Sequence, residues 1–216
     1  MTRYGLAAAL ALVAIASGCD FAARTGIVRD DMAVLTDAQN AIANTKINHG
    51  DMTIQASVDR ADTTYAVGQP IILSVSTSKD AHVAILRVLP NGDTTLLFPV
   101  RPKPEAGTAD AKADKMKVNP DKAHPKADIA ANQVLTIPGP HDGFTVTVDR
   151  PGVVLFEFVA STAGDSWLFK RAPDKDSNFA DLGVTSRAIA KDIVDSLKVG
   201  RSGADTAATY ATVRVK

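Results

Sequence analysis

From residue 52 onward the apolar residues of this chain fall at every second position, in short runs separated by turn residues. Few architectures accept that pattern. In "MTIQASVDR", residues 52–60, Met52, Ile54, Ala56 and Val58 share one face and Thr53, Gln55, Ser57 and Asp59 take the other. Successive side chains of a strand point to opposite faces, so this spacing predicts a half-buried strand. Ile71, Leu73 and Val75 repeat it after a Gly-Gln-Pro break. "AHVAILRVLP", residues 81–90, is apolar on both faces, with Val83 and Ile85 on one and Ala84, Leu86 and Val88 on the other. A central strand has that composition. "PNGD" makes a turn, since Asn and Gly tolerate positive φ, and "TTLLFPV" returns from it as a hairpin.

The alternation resumes with "NQVLTIP" and with "GFTVTVD", where Phe144, Val146 and Val148 share a face. "DRPG" then turns the chain into "GVVLFEFVAST", residues 152–162, the most hydrophobic run. There Val154, Phe156 and Phe158 lie on one side and Val153, Leu155 and Val159 on the other. "TSRAIAKDIVDSLKVG" changes to helical spacing: Ile189, Ile193 and Leu197 form a stripe, Thr185 or Ser186 can cap it and Gly200 can stop it. "ATYATVRVK" alternates again, with Ala211, Val213 and Val215 inward. The expected fold is mostly β: an antiparallel, immunoglobulin-like β-sandwich with one C-terminal helix inserted before the last strand.

Two stretches stand outside that pattern. Residues 101–131 are rich in Pro, Lys, Asp and Ala and have no hydrophobic period, so they cannot bury enough apolar area to offset ordering entropy. A mobile loop inserted in a β-sandwich domain of residues 51–216 is expected. Residues 19–50 suggest a stalk with a short helix, in which Met32, Leu35, Ala38 and Ile42 are near helical spacing and Asp30 and Asp31 suit the N-terminal end.

The chain begins "MTRYGLAAALALVAIASGC". Arg3 precedes an apolar run over residues 5–16, small residues follow, and then comes Cys19, the single cysteine. This is the three-part layout of a secretory signal, residues 1–18, too short to span a bilayer, which needs roughly twenty residues. One cysteine excludes an internal disulfide and a zinc site built on several thiolates. "IASGC" resembles the lipobox of bacterial lipoproteins, with Ala16 where that family usually has Leu. The resemblance implies transfer of a diacylglyceryl group to the Cys19 sulfur, cleavage before Cys19, acylation of the freed amine with a palmitate-type chain, and membrane lipid as a partner. Asp20 resembles the enterobacterial signal for retention at the inner membrane; it equally suits an ordinary solvated position.

Residues 65–100, "YAVGQPIILSVSTSKDAHVAILRVLPNGDTTLLFPV", are similar to domain of unknown function 4384. The elements that match its pattern are Tyr65, Gly68, Gln69, Asp80, Gly92, Leu97, Phe98 and Pro99, with Val100 where the family usually has Asn. "LTIPGP" and residues 151–158 extend the likeness over residues 52–165. It implies a β-sandwich of bacterial envelope proteins and no catalytic residues.

Chemistry is sparse. The four histidines, His49, His82, His124 and His141, form no local ligand pair, and no nucleophile elbow, phosphate loop or dinucleotide fingerprint is present. Neither a metal nor a cofactor is expected. Glu157, inside the hydrophobic run, is expected on a strand face half open to solvent or near the sandwich rim; buried, it would have a raised pKa and could do acid–base work. Trp167 and Phe169 offer an aromatic contact surface or cap the end of the core. The 24 basic and 24 acidic residues give no attraction to nucleic acid. The function expected is that of a periplasm-facing envelope lipoprotein, at the inner membrane in slight preference to the outer, a non-enzymatic binding or scaffolding module with an envelope protein partner. The alternatives are a carbohydrate or peptidoglycan binder using Trp167 and Phe169, or an envelope hydrolase using Glu157.

Overall fold

Two strands run side by side for ten residues each, β7 (Gly152–Ser161) and β9 (Thr206–Val215), and they set the frame of the molecule. The structure is a computed structural model that describes residues 35–45, 47–99, 128–140, 142–171, 174, 177, 179–182, 186–199 and 203–216. On its other edge β7 pairs antiparallel with β4 (His82–Val88), which pairs with β5 (Thr94–Phe98), and β5 with the short β8 (Ala180–Asp181). β2 (Thr64–Tyr65) lies parallel to β9 and completes a six-stranded sheet in the order β2-β9-β7-β4-β5-β8. A second, three-stranded sheet has the order β1-β3-β6, from β1 (Ile54–Val58), β3 (Leu73–Thr77) and β6 (Val134–Ile137). The chain is mostly β, as the period-two pattern predicts.

The two sheets face each other across one core. Leu73, Val75 and Ile137 of the small sheet meet Val83, Ile85, Val154, Phe156 and Phe158 of the large one. The strand expected at residues 143–149 keeps its alternation, with Val146 and Val148 buried, but forms no ladder. It is held at the rim, where the Gly68 N–H donates to the Val148 carbonyl and the Ile71 N–H to that of Val146, both at 2.9 Å.

A third layer covers the outer face of the large sheet, and it goes beyond the two-layer sandwich read from the alternation. β4 and β7 are apolar on both faces, so their second face also needs cover. Helix α2 (Ser186–Val199) supplies it with Ile189, Ile193 and Leu197, and helix α1 (Asp37–Ala43) with Ile42. These pack on Ala84, Leu86, Val88, Leu155 and Val159. Within the stretch read as a stalk, residues 35–45 and 47–49 therefore belong to the packed body: Leu35, Ile42 and Ile47 are buried, and His49 bridges to Thr206 of β9. The cap of α1 is Thr36, with Gln39 completing a capping box.

Residues 1–34, with the signal segment, Cys19 and Asp20, lie outside the described residues, as do residue 100 and residues 101–127 of the expected loop. The end of that loop is docked: Ile129 is buried and bridges to Ala81. The capping role of Thr185 or Ser186 and the stop at Gly200 also fall outside what is described.

Candidate functional site

Just past β7 the chain makes a single 3-10 turn, Trp167–Phe169, and several contacts fix it. Ser166 caps it, its hydroxyl accepting from the Leu168 N–H at 3.3 Å. The same hydroxyl lies 2.7 Å from the Ser196 hydroxyl, which ties the turn to α2. Leu168 and Phe169 insert into the core of the helical layer. The ring of Phe169 lies tilted against His82, centroids 5.9 Å apart. The imidazole also lies close against Gly164, where a Cβ would stand 2.7 Å from His82 Nε2. On the other side of the imidazole, Nδ1 is 3.6 Å from Asp128, whose carboxylate accepts the Val83 N–H at 3.0 Å.

The turn therefore sends its two aromatic residues to different places. Phe169 is 8% exposed and acts as an anchor, not as a contact surface. Trp167 is half-buried and lines an open depression together with Asp165, Lys170 and Arg171. Those three charged side chains are exposed and have no ion-pair partner among the described residues. The depression joins an aromatic side chain, two cationic donors and one acceptor, a set suited to a polar ligand.

Glu157 is placed differently from its expected half-open face. It is 2% exposed, on the side of β7 covered by the helices, and its Oε2 has no hydrogen-bond partner among the described residues. Burial alone pushes its carboxyl well above the usual carboxylate range. A hydrolytic base must reach substrate, and this carboxyl lies under a closed layer. The second orphan polar atom is Nε of Arg87, whose guanidinium donates to the Thr147 carbonyl at 3.0 Å and to the Thr95 hydroxyl at 3.3 Å. Burial pulls this guanidinium down from its ordinary value, and Asp149 and Asp181 oppose the shift. Among the described residues no three His, Cys, Asp or Glu side chains gather as metal ligands, and no helix is long and apolar enough to cross a membrane.

Sequence reasoning passed over Gln39, which is fully buried. Its Nε2 donates to the carbonyls of Val88 at 3.0 Å and Val153 at 2.8 Å, where β4 ends and β7 begins. Only the capping-box spacing from Thr36 could have flagged it.

The pattern residues read from the sequence are builders of the fold. Buried Tyr65 donates its hydroxyl to Asp59 at 2.8 Å, and burial first, then Asp59, pushes the phenol above its ordinary value. Gly68 turns the chain at φ 74°. Gln69 accepts from the Ala66 N–H at 2.9 Å, and Asp80 from the Ala131 N–H at 2.8 Å. Residues 64–163 match the family model described as Domain of unknown function (DUF4384). The expected similarity of the body to that family is found over that stretch. The matched segment runs from β2 to the end of β7 and stops short of the turn that carries Trp167. No curated protein and no solved structure matches the chain.

Proposed function

We propose that this chain is a lipid-anchored envelope protein whose β domain works as a non-catalytic binding or scaffolding module. The anchoring half rests on "IASGC" and the lone Cys19. Each buried acyl methylene contributes about 0.8 kcal/mol, so two or three chains on Cys19 would hold the body at a bilayer. Asp20 favours the inner membrane, with the body facing the periplasm. The observation that carries the binding half is the seated Trp167 in its open depression beside Asp165, Lys170 and Arg171. An immunoglobulin-like kinship is part of the proposal. It is supported by the split of β1, β3 and β6 from β9, β7, β4 and β5, which follows the order A-B-E and G-F-C-C′ of that fold.

The anchor is tested by intact mass of the protein extracted from membranes. The expected species starts at Cys19 and carries acyl mass, and Cys19→Ala moves the protein to the soluble fraction. A chain beginning at Ser17 without lipid would overturn the anchor. The scaffolding role predicts a fixed-ratio complex with an envelope protein in detergent extracts; a lone chain in those extracts would count against it.

A further inference from the structure

We propose that the Trp167 depression is a site for an acidic glycan, a sugar chain bearing carboxylates. This rests on the binding-module reading above and names its ligand class. The apolar C–H face of a sugar ring packs on an indole, and Trp167 offers one that is half-buried, hence held in place, and still lines an open surface. Its turn is capped by Ser166, tied to α2 through Ser196 and pinned from beneath by Leu168 and Phe169. Such preorganisation lowers the ordering cost of binding.

The polar groups around the indole specify the rest. Lys170 and Arg171 point to a carboxylate, which a guanidinium can take through two parallel hydrogen bonds. Asp165 is an acceptor for sugar hydroxyls. Two cations against one anion give a local charge of +1, enough to prefer an acidic sugar over a neutral one.

The chain provides its own reporter, because Trp167 is its single tryptophan. The full chain in detergent is titrated with polygalacturonate, with the methyl-esterified polymer as the neutral control. Vesicles of phosphatidylglycerol form a third arm. The expected result is a shift of tryptophan emission with polygalacturonate and little with its ester. Lys170→Gln with Arg171→Gln, both at exposed positions, should weaken binding at least about tenfold without changing the thermal midpoint. Calorimetry on Trp167→Ala should show the same loss. The glycan assignment falls if the ester binds equally, if emission responds to the vesicles alone, if no polymer binds, or if the charge variants bind normally. None of those outcomes touches the mass of the Cys19 species or the native complex, so the module reading stands or fails separately.

Discussion

Glu157 lies in the middle of β7 with Leu86 of β4 and Tyr210 of β9 as its cross-strand neighbours. Its carboxyl is protonated more readily in the folded protein than in the unfolded chain, where 4.5 is the ordinary value. The folded state therefore binds this proton more tightly. Its contribution to stability is complete below about pH 4.5 and is lost as pH rises towards the folded-state value. Urea midpoints taken at about pH 5 and about pH 8 should fall across that interval. Glu157→Gln should flatten the dependence and gain about 1–3 kcal/mol at the higher pH. At the neighbouring corner, Gly164→Ala forces a methyl group against His82 and should cost about 1–3 kcal/mol in thermal or chemical unfolding. Neither residue announces its environment in the sequence. Glu157 sits in an apolar run whose second face acquires a cover only when α1 and α2 fold back, and Gly164 owes its place to an imidazole some eighty positions earlier.

At the scale of elements, α1 has only seven residues, too few to persist alone in water, and its docking depends on side chains. Gln39 completes the cap at Thr36 and at the same time satisfies two strand carbonyls. Gln39→Ala removes both functions and leaves two buried acceptors without that donor. The expected loss is about 2–4 kcal/mol, with faster hydrogen exchange confined to residues 35–49; unchanged exchange there would contradict the docking role. The strands were legible from the period of two, because β1, β3, β4, β7 and β9 each bury one face or both. The helical layer was half legible. The Ile189, Ile193 and Leu197 stripe marked α2, and the doubly apolar strands asked for cover, but α1 begins after Asp30 and Asp31 and turns on a buried glutamine that hydropathy reads as exposed. β2 was missed because two residues carry no period, and β8 for the same reason. Of the aromatic pair, spacing could not separate Trp167 from Phe169; with three residues per 3-10 turn, side chains two positions apart point in different directions, and here Phe169 is buried while Trp167 is half-buried.

The molecule as a whole does not coincide with the family match. Residues 64–163 exclude β1, α2 and β9, although β9 lines β7 along ten residues and is the partner of β2. A fragment of 64–163 would expose one edge and the outer face of its most apolar strand. It should show no cooperative thermal transition, whereas residues 35–216 should unfold in a single one, checked by calorimetry. The route of residues 35–49 has a mechanical consequence. They cross the helical layer and end on β9 at the His49–Thr206 bridge. A pull applied upstream of Leu35 would load the Gln39 clamp first, then peel α1 from its seat. The long ladder of β7 and β9 would bear force last, so the protein could lengthen by a short segment and re-dock when the tension is released.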